Sequence, residues 1–293
     1  MSNSSADPAL TIVVGSNGAR GSVERCLAAL DPQLDGDVEV IVCESEASPD
    51  EVRRRFPSAR FLERKGALVP ELWRDGIEEA RGELVALTIS SMLPAPDWVA
   101  TARRLLTAAD AVGGAIDPAD GLRVRDWAEY YCRYARDMRP FEEHACADLP
   151  GDNAVYSKGA LEPVRGAYRD GFWEPEVHRA LLERSGRLRH DPTLVVYQGR
   201  SAGIAAFTRQ RLRHGRLYGH QRGARFSAAR NAAGVLGAPL VPFLMTFRVV
   251  RRVTQKRRHR LKALVALPLI FYFNLAWAAA EAKGHLEMLT RRE

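Results

Sequence analysis

The polar side chains that could do chemistry in this chain stand where apolar runs stop. Asn17 follows the run Leu10–Gly15, Glu44 and Glu46 follow Val38–Cys43, and Ser90 and Ser91 follow Leu84–Ile89. A carboxylate so placed accepts N–H and O–H groups, an amide both donates and accepts, and a serine hydroxyl does so without charge. Two further carboxylates, Glu174 and Glu176, flank Pro175 at the start of a helical pattern that closes at Gly186. Proline is comfortable in a first helical turn, and the helix macrodipole favours negative charge there. Towards the C-terminus, Arg213, Arg216 and Arg222 present guanidinium forks suited to phosphate, or simply a solvated basic face. The four cysteines, Cys26, Cys43, Cys132 and Cys146, form no C-x-x-C pair. That argues against a zinc or disulfide framework and for a reducing compartment.

Such groups need a scaffold, and the alternation of the chain predicts one. After Leu10–Gly15, the residues Val23, Cys26, Leu27 and Leu30 recur at i, i+3, i+4 and i+7, the spacing of an amphipathic helix. Val38–Cys43 is a second strand, a charged helix starts near Pro49, and a short strand covers Arg60–Leu62. Pro70 opens a helix to Ala80, Leu84–Ile89 is again a strand, and a helix from Asp97 precedes the strand Ala111–Ile116. The prediction is an α/β domain over residues 10–205, with a mostly parallel sheet flanked by helices. In open sheets of this kind, ligands gather at the carboxyl ends of the strands. Residues 1–9 read as a polar tail without the basic and apolar regions of a signal peptide. Trp127, Tyr130, Tyr131 and Tyr134 fall at helical spacings and are read as core packing.

Composition excludes wholesale disorder, since 46% of residues are hydrophobic and 27% charged. The net charge of +7 hides a split: residues 201–293 carry 18 Lys/Arg against 3 Asp/Glu, and residues 1–200 carry 25 against 33. Within residues 206–293, two apolar segments, Ala232–Val250 and Ala263–Ala280, flank a basic loop holding Arg251, Arg252, Arg257 and Arg258. Each segment approaches the ~20 residues that cross a bilayer. Each also contains proline, and a spanning hairpin would put the basic loop outside, against the positive-inside tendency. The expectation is therefore helices lying in the interface at the cytoplasmic face, with the loop on an anionic membrane surface. A buried helical hairpin is the alternative. Nucleic acid is not an expected partner, because the basic residues flank apolar runs instead of forming a recognition helix.

The stretch Gly82–Trp98, GELVALTISSMLPAPDW, resembles the central strand of family 2 glycosyltransferases with the GT-A fold. In that family the strand runs into an Asp-x-Asp motif and then a Pro-x-x-Asp-Trp turn. The turn is present here as Pro94 to Trp98, while Ile89-Ser90-Ser91 stands in the place of Asp-x-Asp. Other segments follow the family in order. Thr11–Asn17 resembles its first strand and nucleotide-contacting turn, although proline is usual near Gly15. Glu39–Ser48 is similar to the segment ending in a base-contacting Asp, with Glu44 in that place and Glu46 able to substitute. Asp148–Lys158 resembles the acceptor-side Gly-x-Asn-Ala-x-Tyr-Arg element, Gly171–Gly186 the Glu-Asp catalytic element, and Gln210-x-x-Arg213 the Gln-x-x-Arg-Trp element.

The resemblance implies an inverting transfer of sugar from a nucleotide-sugar donor to a lipid-linked or cell-surface glycan acceptor. It assigns Gly15, Asn17, Glu44, Glu46, Ser90 and Ser91 to the donor, and Gly151, Asn153 and Trp173 to the acceptor. The base would be Glu174, or else Glu176, because Pro175 stands where the family has its Asp. The family's divalent ion, Mg²⁺ or Mn²⁺, would lose its charged ligands at Ser90 and Ser91, leaving Arg213 and Arg216 to neutralise the diphosphate. With both centres altered, the alternative is a catalytically degenerate binding or scaffold subunit at the membrane.

Overall fold

The computed structural model describes residues 7–18, 21–106, 109–199 and 203–290. Most of the expected tail, residues 1–6, lies outside the described residues. Its last residues belong to the fold: Pro8 is buried, and the Ala9 carbonyl accepts from the Leu84 N–H at 3.1 Å. The described chain divides into two units. One comprises the chain up to Ala119 together with Arg139–Gly199, and the other comprises Asp120–Met138 together with the chain from residue 203 onward. The sequence reading placed the division near residue 205 and kept the aromatic segment after Asp126 with the α/β domain.

The first unit is a nine-stranded sheet with helices. Its strands are β1 (Leu10–Ser16), β2 (Val38–Glu44), β3 (Ala59–Glu63), β4 (Leu84–Ile89) and β5 (Met92–Pro94), then β6 (Ala111–Pro118), β7 (His144–Ala145), β8 (Asn153–Ser157) and β9 (Leu188–Gln198). Its longer helices are α1 (Ser22–Leu30), α2 (Asp50–Arg55), α3 (Val69–Glu79) and α4 (Trp98–Leu105). The helix α5 (Val124–Tyr134) belongs to the other unit, while α6 (Lys158–Leu161) and α7 (Glu174–Glu183) return to this one.

The strand order is β3-β2-β1-β4-β8-β6-β9-β5, with β7 on β9. Pairing is parallel for β1–β2, β2–β3, β1–β4 and β6–β9, and antiparallel for β4–β8, β6–β8, β5–β9 and β7–β9. The sheet is thus mixed, which corrects the expectation of a mostly parallel one. The reason is β8. The strand within Asp148–Lys158 enters the middle of the sheet and runs against both its neighbours, β4 and β6.

Uniform burial explains why β1, β2 and β4 are continuous apolar runs: both faces are covered, so no alternation is needed. Gly76 lets α3 approach β1 and β2 closely, since a side chain there would strike Val13 and the Cys43 sulfur. The parallel pair β6–β9 slips where Gly114 opposes Asp191 but Ala115 opposes Val195, so Pro192, Thr193 and Leu194 bulge from the ladder.

The second unit is helical: α5, α8 (Ile204–Ala224), α9 (Ala228–Gly237), α10 (Val241–Lys256) and α11 (Arg260–Thr290). The aromatic residues of α5 are core, as expected, with Tyr130, Tyr131, Tyr134 and Trp127 all buried. The Tyr131 hydroxyl donates to the His259 carbonyl at 3.0 Å, fixing the turn between α10 and α11. Helix α8 meets α11 through a glycine stripe. A Cβ at Gly215 would lie 2.7 Å from the Trp277 carbonyl, and Gly219 abuts the Glu281 carbonyl and Gly284. Small residues four apart let the two backbones approach. Two helical stretches, Ala228–Lys256 and Arg260–Thr290, are long and apolar enough to cross a membrane, and only 11% and 39% of their most apolar windows are buried.

Candidate functional site

Strand polarity gathers the candidate residues. The strands β1, β2, β3, β4, β6 and β9 all point one way, and β8 points the other. The end of β1, at Ser16, therefore shares one edge of the sheet with the ends of β2 and β4 and with the start of β8. The strand order reverses between β1 and β4, because β1 leads to β2 and β3 on one side and the chain then returns to β4 on the other. Such a switch point opens a crevice at the carboxyl ends.

Some predicted residues at this edge are consumed by the fold. Gly15 is buried in β1, and a Cβ there would meet the Trp73 Nε1 at 3.1 Å; the glycine makes room for an indole that donates to the Thr88 carbonyl at 2.8 Å. Glu44 is fully buried, and its carboxylate is engaged by the Arg53 guanidinium and by the Ser48 hydroxyl at 2.7 Å. Its expected role at a donor base is replaced by an internal ion pair. Ser90 is buried, with its hydroxyl 2.8 Å from that of Ser22. Asn153 is 0% exposed. Its Oδ1 accepts from the Trp98 Nε1 at 2.8 Å, and its Nδ2 donates to the Ala115 and Leu194 carbonyls, each at 2.9 Å. Those carbonyls flank the β6–β9 slip, so the amide fills the gap in the ladder. Both amide hydrogens of Asn153 are thus committed to the sheet, and its side chain is fully buried.

Others remain at the surface of this edge. Asn17 and Glu46 are exposed, and the Glu46 carboxylate lies against Gly18, whose φ of +83° suits glycine. Ser91 is half-buried, and its carbonyl accepts from Gly199 N–H at 2.9 Å. Gly151 precedes β8, and a Cβ there would come within 2.6 Å of the Glu174 Oε1. The Glu174 carboxylate therefore rests on the Gly151 backbone, joining two residues chosen from separate segments. Trp173 and Glu174 are half-buried, at the cap and first residue of α7. Glu176, one residue past Pro175, forms an ion pair with Arg179. Arg213 and Arg216 lie on α8, in the helical unit; Arg213 is exposed, and Arg216 is held by Glu287 at 2.7 Å.

A hydrogen-bonded chain beside Glu174 was not anticipated. His178, to which the sequence analysis gives no role, is 0% exposed. Its Nδ1 is 2.8 Å from the Asp148 Oδ1, and its Nε2 is 2.8 Å from the Tyr156 hydroxyl. The Leu149 N–H also donates to Nδ1 at 3.3 Å, so the ring is held by a backbone amide, a carboxylate and a phenol. Burial, followed by the nearby charges of Glu174 and Asp148, holds the Tyr156 hydroxyl well above the usual tyrosine range. The three residues are separated by 22 and 30 positions, so only the topology joins them. Also at the carboxyl edge, the Gln198 Oε1 at the end of β9 is buried and lacks a hydrogen-bond partner among the described residues.

Thiol chemistry has no place here, since burial pushes Cys26 and Cys43 up to about 12. The family's divalent ion does not fit the residues present. At Ile89-Ser90-Ser91 the donor set is two neutral hydroxyls, one already bonded to Ser22, where a hard cation needs charged oxygen. Among the described residues, no group of three or more His, Cys, Asp or Glu side chains could hold a metal ion. No protein-family model matches the chain, and no curated protein is detectably related to it.

Proposed function

We propose that the chain is an inverting glycosyltransferase that moves a sugar from a nucleotide-sugar to a lipid-linked or cell-surface glycan acceptor. The observation that supports this reading is the contact of Glu174 with Gly151 at the carboxyl edge that also carries Asn17, Glu46 and Ser91. These residues come from five segments that resemble successive motifs of family 2 transferases with the GT-A fold. In the reaction, Glu174 takes the proton of the acceptor hydroxyl while that oxygen attacks the anomeric carbon. The bond from that carbon to the diphosphate breaks, and the nucleoside diphosphate departs with the electron pair. Asn17, the backbone about Gly18, Glu46 and Ser91 hold the donor; Trp173 and the Gly151 backbone face the acceptor. No step is assigned to a metal.

The acceptor class follows from the helical unit. Leu236, Leu240, Phe243, Phe247, Leu261 and Leu264 are all exposed, while Arg251, Arg257 and Arg258 cluster at the turn between α10 and α11. Exposed apolar helices flanked by basic side chains suit an anionic membrane surface, on the cytoplasmic side.

A second reading, a binding or scaffold subunit without catalysis, is favoured by the internal engagement of Glu44, Ser90 and Asn153. Calorimetric titration with UDP-, GDP- and dTDP-sugars, with and without Mn²⁺, separates the two when paired with Glu174→Gln. The enzyme reading expects donor binding that survives chelation, and slow donor hydrolysis or transfer reduced at least ~100-fold in the variant. Donor binding with no turnover in either protein favours the scaffold. No binding by any nucleotide-sugar overturns the transferase.

A further inference from the structure

Within the helical unit, α8, α9, α10 and α11 enclose a cavity of about 350 Å³. Its charged end holds Arg222, Arg230 and Glu281. Arg222 donates to the Glu281 Oε1 at 3.2 Å and lies over the Phe226 ring at 5.4 Å. Arg230 lies over the same ring at 4.4 Å and has no carboxylate partner among the described residues. The charged end thus holds two guanidiniums and one carboxylate, and the Arg230 fork, which that carboxylate does not engage, suits a phosphoryl group.

The other end is apolar. Gly237, Ala238 and Val241 line it, opposite Ala278. Gly237 lies seven residues beyond Arg230, about 10 Å along a helix. Beside Gly237 the surface is hydrocarbon, with Leu236 82% and Leu240 73% exposed. A cavity charged at one end and continuous with exposed apolar side chains at the other matches an amphiphile, not a free anion.

We propose that this cavity binds the phosphate headgroup of an anionic lipid, with Arg222 and Arg230 on the phosphoryl oxygens and the first acyl carbons along Gly237 and Val241. The proposal rests on the reading that the helical unit meets a bilayer, and names the lipid chemistry it selects there.

The test uses the full chain in neutral detergent, titrated with dihexanoyl phosphatidic acid, dihexanoyl phosphatidylcholine and inorganic phosphate. Phosphatidic acid is expected to bind, phosphatidylcholine to bind at least about tenfold more weakly, and phosphate to compete poorly. Arg230→Ala removes a surface guanidinium with no ion pair to lose, and is expected to weaken phosphatidic acid about tenfold. Arg54→Ala, which removes an exposed guanidinium from α2 in the sheet unit, is expected to leave that binding unchanged. Gly237→Leu, where an added Cβ meets no atom within 4 Å, is expected to block the lipid while circular dichroism remains that of the parent. Equal binding by Arg230→Ala, or phosphate binding as tightly as the lipid, overturns the proposal. Flotation with neutral and anionic vesicles reports separately on membrane association, so a chain that floats but ignores the short-chain lipid keeps that reading and loses this one.

Discussion

The two units treat the boundary between polar and apolar in opposite ways. In the sheet unit, buried polar groups meet partners inside the protein: Asn153 with Trp98 and two carbonyls, Glu44 with Arg53, Thr11 with Glu39 at 2.8 Å. In the helical unit, large apolar side chains face outward without cover, Leu236 and Leu261 being 82% and 77% exposed. The first unit matches most of these groups internally, the Gln198 Oε1 being an exception. The second carries a surface that water disfavours, by roughly 25 cal/mol for each Å² of apolar area left exposed. The comparison teaches that the sheet unit settles the cost of its polar groups largely inside itself, whereas the helical unit leaves apolar area on its surface.

The largest expected effect lies in the sheet unit. Asn153→Leu leaves the Trp98 Nε1 and the carbonyls of Ala115 and Leu194 buried without partners, at about 1–3 kcal/mol each. Urea denaturation should show a loss of about 4 kcal/mol or more. A loss under about 1 kcal/mol would break the claim that internal matching holds this unit. In the helical unit, Gly219→Leu forces α8 away from the Glu281 carbonyl, an overpacking of about 1–3 kcal/mol. Thermal unfolding in detergent should start several degrees lower, and an unchanged midpoint would mean that the two helices separate freely.

The smallest effect is a pH dependence. Burial would raise Glu39, but the Arg81 N–H, the Thr11 hydroxyl and the Arg81 guanidinium outweigh it and hold the carboxyl below its usual 4.5. A depressed carboxylate contributes stability that is present above its unfolded value and is lost as pH falls through its folded value. Stability should therefore decline below pH 4.5, and Glu39→Gln should flatten that decline by about 1 kcal/mol. An identical acid profile for both proteins would remove Glu39 from the account.

What the sequence disclosed follows the range of the forces involved. The strands β1, β2 and β4 announce themselves because burial on both faces demands unbroken apolar runs. Pro70 and Pro175, each in a first helical turn, mark α3 and α7 through a local backbone rule. The centre of the sheet was hidden. Asn-Ala-Val-Tyr-Ser says nothing about its direction or neighbours, which are fixed by contacts with residues more than seventy positions away at Leu84 and Val85. The candidate site divides the same way. Glu174 and Gly151 were legible as separate motifs, whereas their contact, the Asp148–His178–Tyr156 chain and the burial of Asn153 against Trp98 exist only once the strands are ordered. Glycines at 215, 219 and 223 were likewise visible as letters, but their meaning depends on which helix arrives opposite.

That stripe also sets how this protein can tolerate changes in length. Gly215, Gly219 and Gly223 recur every four residues along α8, facing the Trp277 and Glu281 carbonyls, Gly284 and Met288. One residue inserted between Gly215 and Gly219 would turn everything downstream by about 100°, swinging a larger side chain into the seam. Two full turns, about seven residues, would restore the facing direction while shifting the end of the helix by about 10 Å. Homologues should therefore vary in length within the turns that bound α8 and hold its interior to a fixed count, a spacing rule more durable than the identity of any residue on its outer face.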